Sequence, residues 1–222
     1  VTYDASDATI GASLRLQVKE KVKPVISLVT PTNGARVTNN KQPITFKVTD
    51  ETNGSGVKTS TVSLKIDSNT YNESSAGMVK TAITNGYQFV YTPQSVLSNG
   101  DHTITINAQD NDGNAATAVT AKIKVDTIPP SLNLTSPIEG LITNSKTVRL
   151  TGTTNDETSS PVTVTAKLNG VDVGAITLTN GAFDKELTGQ EGNNVLVVTA
   201  KDAAGLSTPV TRNFKIDTSV PK

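Results

Sequence analysis

The 222 residues contain no cysteine and no tryptophan, one Met and one His. The missing thiols exclude disulfides, thiolate metal sites and cysteine nucleophiles together. Net charge is missing too, with 20 basic against 20 acidic side chains. That leaves no basic field to neutralise phosphates and no polybasic block to hold an anionic bilayer, so nucleic acid and membrane surface are poor partners. No apolar run approaches the ~20 residues of a membrane span. Val1 to Ile10 shows neither a charged n-region nor an apolar h-region. Without an initiator Met or a targeting segment, the chain reads as a piece of a longer protein. Aromatics are scarce, four Phe and four Tyr, so a deep cleft lined with rings and convergent polar groups is hard to assemble.

What is abundant is β-branched. Val, Leu, Ile and Phe make up roughly 25% of the chain, above the ~20% below which neutral chains stay unfolded. There are 35 threonines, and Thr with Val and Ile fits a pleated, half-buried surface. The apolar residues alternate: Ile44, Phe46, Val48; Val62, Leu64, Ile66; Tyr87, Phe89, Tyr91; Ile104, Ile106, Ala108; Val162, Val164, Ala166, Leu168. Each series places one face of a strand against a core and the other in water. Asn85-Gly86, Asn169-Gly170 and Asn180-Gly181 carry the signal of type I′ hairpin turns. Nothing resembles a three-turn helix. Short strands every 8 to 12 residues predict an all-β fold of sandwiches or barrels.

Internal repetition sharpens this reading. Ala108 to Asn114, then Ile123 and Val125, then Asp126-Thr127-Ile128-Pro129-Pro130, returns as Ala200 to Gly205, then Phe214 and Ile216, then Asp217-Thr218-Ser219-Val220-Pro221. A blurred copy opens the chain at Tyr3 to Asp7, with Leu14, Leu16 and Val18, then Val22-Lys23-Pro24. After each junction Ile26-Ser27-Leu28 with Pro31 and Gly34 matches Leu132-Asn133-Leu134 with Pro137 and Gly140. The expected organisation is residues 1–23 as the terminal strand and linker of a preceding module, a module over 24–127, and a module over 128–222. The repeated Asp is expected to accept the N–H two residues on, with Gly113 or Gly205 at positive φ closing a tight hairpin of the last two strands. The prolines at the junctions fix φ near −65° and stiffen the joints.

These features resemble tandem bacterial immunoglobulin-like (Big) repeats of surface proteins, and are similar to the Ig-like accessory domains of the glucodextranase type. The residues that carry the resemblance are Asp110 to Gly113, Asp202 to Gly205, the Asp-Thr-x-x-Pro junctions at 126 and 217, and Leu97 to Ile104 with its counterpart Glu191 to Val195. The resemblance implies Greek-key antiparallel sandwiches. It implies adhesin stalks, enzyme accessory domains or phage virion decorations as hosts, and function does not follow from the fold. Similar Gram-positive adhesins sometimes carry Lys-to-Asn isopeptide crosslinks; the sequence nominates no pair.

Several residues invite chemistry and are read as structure. Asp110-Asn111-Asp112-Gly113-Asn114 resembles the start of a calcium loop, since alternate oxygen ligands suit a hard cation. An EF-hand would place Glu where Ala121 stands, and Asp202-Ala203-Ala204-Gly205 lacks the middle carboxylate. The expectation is therefore a turn. The alternative is calcium at a module junction held by Asp110, Asp112, Asp126 and Asp50, as in some relatives. His102, the single imidazole, would be needed by any Ser-His-Asp arrangement; it is expected to cap a loop, because its counterpart is Asn194. Gly54-Ser55-Gly56 lacks the remaining Gly of a nucleophile elbow and reads as a turn. Tyr87, Phe89 and Tyr91 could stack on sugar rings if exposed; a largely buried stripe is expected. Asp50-Glu51 and Asp156-Glu157 are expected to be solvated loop charges rather than an acid and base pair.

No catalytic, cofactor-binding or metal-ligating residue is nominated, no cofactor is expected, and the chain is expected not to be an enzyme. The expected role is that of a non-catalytic stalk of a secreted or surface-displayed bacterial protein. Flanking modules are the expected partners, with a host or cell-surface protein or glycan as a further one. The rival readings are a ligand-binding adhesin or carbohydrate-enzyme accessory domain, and a phage virion domain.

Overall fold

Alternating apolar residues need a second surface to cover them, and here each sheet supplies it to another. The computed structural model describes residues 19–219; the repeat copy within residues 1–18 and the terminal Pro221 lie outside the described residues. The first sandwich is built from β1 (Val25–Thr30), β2 (Arg36–Val37), β3 (Ile44–Thr49), β4 (Ser63–Ile66), β5 (Asn69–Tyr71), β6 (Met78–Ile83), β7 (Gly86–Tyr91), β8 (Gly100–Asn107) and β9 (Val119–Val125). The second contains β10 (Ser131–Ser136), β11 (Leu141–Thr143), β12 (Thr147–Asn155), β13 (Thr163–Leu168), β14 (Val171–Asp172), β15 (Ala182–Thr188), β16 (Gly192–Lys201) and β17 (Ser207–Ile216). Among the described residues the one helical element is the 3-10 turn Thr59–Thr61, and no helix is long and apolar enough to cross a membrane.

The sheets of the first sandwich run β1-β3-β7-β6 and β2-β9-β8-β4-β5; those of the second run β10-β12-β15 and β11-β17-β16-β13-β14. Pairing is antiparallel except for β2 with β9 and β11 with β17. In both sandwiches the opening segment therefore starts in one sheet and crosses to pair with the last strand of the other. The architecture is all-β and immunoglobulin-like.

Ile44, Phe46 and Val48 alternate with half-buried neighbours along β3, as period two requires. They join Leu64, Ile66, Phe89, Tyr91, Ile104, Ile106, Ile123 and Val125 in one core. Leu150, Phe183, Leu196, Val198, Phe214 and Ile216 belong to a second. With no residue in common, each core stands on its own contacts, about 1.5–3 kcal/mol for each large side chain buried. The aromatic stripe is largely buried: Phe89 and Tyr91 are inside, with Phe89 stacked on Phe46 at 5.1 Å between centroids. Tyr87 is half-buried with the Lys80 ammonium 5.3 Å from its ring centre.

Turn chemistry follows the sequence at two of the three Asn-Gly pairs expected to form hairpin turns. Asn169-Gly170 and Asn180-Gly181 have positive φ at both residues and close two-residue connections. Asn85-Gly86 differs: the hairpin pairs Ile83 with Gly86, so the turn is Thr84-Asn85 and only Asn85 has positive φ. Gly86 is needed for close approach instead, since a Cβ there would sit 2.1 Å from the Val48 carbonyl oxygen. The tight closing hairpin occurs in the second sandwich, where residues 202–206 join β16 to β17. In the first, residues 108–118 make a longer excursion that bridges Val57 through Asp110.

Candidate cation sites at the sandwich ends

Where β9 ends, the chain turns into the connector through Asp126. Its N–H donates to the Val37 carbonyl at 2.9 Å, and its Oδ1 accepts the Ile128 N–H at 3.1 Å. Asp156 follows β12, and its Oδ1 accepts the N–H groups of Thr158 and Ser159 at 2.8 and 2.5 Å. Asp202 follows β16, and its Oδ1 accepts from Gly205 and Leu206 at 2.7 and 2.9 Å. These turns bring one carboxylate oxygen from each of the three residues within 4.8 Å of the others. Asp126, Asp156 and Asp202 are 0%, 7% and 6% exposed.

An equivalent group forms at the other end of the first sandwich from Glu20, Asp50 and Asp110. The Glu20 carboxylate accepts the Ser55 N–H at 2.7 Å, and Asp50 accepts the Gly56 N–H at 2.7 Å. Asp110 accepts the Asn114 N–H on Oδ1 and its side-chain amide on Oδ2, at 2.7 and 2.6 Å. Burial would raise the Asp110 carboxyl, but those bonds outweigh it and hold it below the usual range. Hydrogen bonds from Ser55 hold Glu20 low as well. Glu51, sharing a hydrogen bond with Glu20, is pushed up to about 7.

The structure redraws the junction carboxylates. Asp110 and Asp50 share one group, Asp126 belongs to the other, and Asp112 is in neither; its Oδ2 accepts the Glu20 N–H at 2.9 Å. The reason is that Asp126 ends the strand paired beside β2, at the end of the sandwich opposite the Asp110 turn. The acceptor geometry also shifts, because Asp110 and Asp202 bond residues three and four positions on rather than two. Asp50 and Asp156 are buried rather than solvated, since each heads a turn folded back over its own carboxylate. Glu20, Asp156 and Asp202 went unrecognised as cluster members. A signal was present: Glu20 to Asp126 and Asp50 to Asp156 both span 106 positions, the same offset as Pro24 to Pro130.

His102 is 6% exposed and caps a loop. Its Nδ1 lies 2.7 Å from the Asp67 carboxylate and its Nε2 2.8 Å from the Ser98 carbonyl oxygen. Burial pulls the imidazole pKa down, but the two acceptors outweigh it and push it up. Both ring nitrogens are thus occupied by acceptors, and neither faces a serine hydroxyl. Ser55 accepts the Asp112 N–H on its Oγ at 3.2 Å, so Gly54-Ser55-Gly56 is part of a turn network.

Residues 24–106 match the family described as Bacterial Ig domain, and residues 130–218 the one described as Glucodextranase, domain B. No curated protein matches the chain. Among solved structures, the I-band fragment I67-I69 from titin is 14% identical, covers 88% of this chain and 66% of its own length, and superposes with a TM-score of 0.60. The fibronectin(III)-like modules of Clostridium thermocellum CbhA are 19% identical, cover 86% of this chain and 94% of their own, with a TM-score of 0.46. The titin likeness speaks for the fold alone.

Proposed function

Since residues 24–106 match the bacterial Ig domain family and residues 130–218 match domain B of glucodextranase, we propose that the chain is a non-catalytic structural or adhesive stalk segment. It would space a functional region from the surface of a secreted or surface-displayed bacterial protein. Modules over 24–127 and 128–222 are the units of this reading, and flanking modules of the same kind are its partners, with a host or cell-surface protein or glycan engaged beyond them. The observation that carries it is the fastening of the connector. Thr127 donates through both N–H and hydroxyl to Asn99 Oδ1 at 3.0 Å, and the Thr208 hydroxyl donates to the Pro130 carbonyl at 2.5 Å. Each end of a five-residue joint is thereby tied to a different sandwich, which resists hinging.

Solution scattering tests this on the whole chain. A single compact globule of this length has a radius of gyration of ~17 Å. An extended pair gives a clearly larger value, and a value at the globule limit overturns the stalk reading. The match to domain B of glucodextranase favours a second reading, an accessory module of a carbohydrate-active enzyme. Saturable binding to a glycan array would promote that reading over the spacer.

A further inference from the structure

We propose that Asn180 is a site of spontaneous backbone modification, where the carboxamide is lost as ammonia and the link to Gly181 becomes isoaspartyl. Asn-Gly is the dipeptide most open to this chemistry, because glycine carries no Cβ to shield its own nitrogen. The chain holds six: Asn33-Gly34, Asn53-Gly54, Asn85-Gly86, Asn99-Gly100, Asn169-Gly170 and Asn180-Gly181. Reaction needs a carboxamide free to swing toward the chain and a following N–H that no acceptor holds.

The fold withholds one or both from five of the pairs. Lys122 fastens Asn33-Gly34 twice, its N–H on Asn33 Oδ1 at 2.8 Å and its carbonyl on the Gly34 N–H at 2.7 Å. Thr127 occupies Asn99 Oδ1 with two donors. Asn169 donates through Nδ2 to Asn194 and accepts the Val195 N–H on Oδ1. The Asn85 amide donates to the Thr52 hydroxyl at 2.9 Å. At Asn53 the obstacle is the next residue, for the Gly54 N–H donates to the Glu51 carbonyl at 3.1 Å. Carboxyl atoms of Glu51, Asp50 and Glu20 also lie within 3.0 Å of where a Gly54 Cβ would stand, and acidic surroundings oppose loss of a proton from that nitrogen.

Asn180 meets both conditions. It is exposed, and among the described residues its carboxamide makes no hydrogen bond and the Gly181 N–H has no acceptor. Its turn is also lightly held. Thr179 and Ala182 exchange N–H bonds at 2.8 and 3.0 Å, and residues 173–178 before them belong to no strand. The Asn85 turn instead closes a ladder from Ile83–Gly86 to Met78–Tyr91. A turn closed by one pair opens at less cost than one closed by a full ladder.

In the reaction the Gly181 nitrogen gives its proton to hydroxide and forms a bond to Asn180 Cγ. The Cγ–Nδ2 bond breaks, and the departing amide takes a proton from water and leaves as ammonia. Water then opens the succinimide at either carbonyl: at the backbone carbonyl it leaves an isoaspartyl link, at Cγ an aspartate. The net change is ammonia out and water in, with one negative charge added to a neutral chain. The isoaspartyl link also lengthens the backbone by one carbon, in a turn whose Gly181 carbonyl accepts the Thr154 N–H at 2.8 Å. Gly181 and Asp156 line the same hollow, so the new carboxylate arises beside one that is already buried. Modification therefore loosens the second sandwich at its joint end and leaves the first untouched.

The test is peptide mapping by mass spectrometry of the whole chain, aged in warm, mildly alkaline heavy-oxygen water, with a parallel sample unfolded in urea. In the folded chain Asn180 is expected to convert on the order of tenfold faster than any other Asn-Gly, each product retaining one heavy oxygen. In urea the six pairs should convert at similar rates. Asn180→Gly keeps a residue that accepts positive φ; its melting temperature should hold through ageing while the parent's second sandwich melts progressively lower. No conversion at Asn180 in the folded chain overturns the proposal, as does another Asn-Gly that matches its rate. The same preference for Asn180 in urea also overturns it, since local sequence would then be the cause.

Discussion

His102 and Asn194 occupy the same corner of their sandwiches and satisfy it with different chemistry. His102 reaches Asp67 and the Ser98 carbonyl; Asn194 bonds Asn169 at 2.9 Å and the Gln190 carbonyl at 2.7 Å. Asp67 and Asn169 both use Oδ1 to accept the N–H of the residue after the corner, Thr103 or Val195. The first corner therefore carries a charge pair where the second is neutral. For Asp67, burial works upward on the pKa, but the bonds from His102 and Thr103 outweigh it and hold the carboxyl low. A raised His pKa contributes stability that is whole below the ordinary 6.5 and lost as pH rises through the folded value. The lowered Asp67 contributes above 3.8, and its share is lost as pH falls through its own folded value. The melting temperature of the first sandwich should thus fall as pH climbs past 6.5. In the double variant Asp67→Asn with His102→Asn, which copies the second corner, the His102 share of that slope should vanish, leaving the part that comes from Glu51, whose carboxyl is pushed up to about 7.

At the scale of elements, the two sandwiches exchange bulk across one strand pair. Phe46 faces Phe89 between β3 and β7, whereas Gly152 faces Phe183 between β12 and β15. A Cβ at Gly152 would lie 2.6 Å from the Phe183 ring and 2.5 Å from the Asn133 carbonyl oxygen. Gly152→Ala should therefore destabilise the second sandwich by roughly 1–3 kcal/mol, the usual cost of overpacking, read as a lower midpoint in denaturant. Alternation alone made these strands legible. The partner of each residue was not, because register depends on turn length: the Thr84-Asn85 turn moved Gly86 into β7 and set Tyr87 opposite Val48.

For the whole molecule, two cores without shared residues imply two cooperative units. Leu64 is fully buried in the first core, and Leu64→Ala should cost about 2–5 kcal/mol. In calorimetry the loss is expected in the transition of the first sandwich, with the second moved little. A single transition that shifts as a whole would instead show the connector coupling the two tightly. Charge placement operates at this scale as well. The chain is neutral overall, yet its buried carboxylates gather at sandwich ends, Asp50 and Asp110 in the loops after β3 and β8, and Asp126, Asp156 and Asp202 in those after β9, β12 and β16.

The sequence by itself determined the all-β class, the strand faces and the repeat, because period-two alternation and proline-bounded junctions are local properties of the chain. It also placed His102 and Asn194 in one structural role, through the matching segments around them. Tertiary structure alone decided which carboxylates meet. Asp126, Asp156 and Asp202 lie 30 and 46 positions apart along the chain, and only the packing of the second sandwich against the end of β9 brings them within 4.8 Å. Spacing in sequence could not report that distance, since strands of different sheets set it.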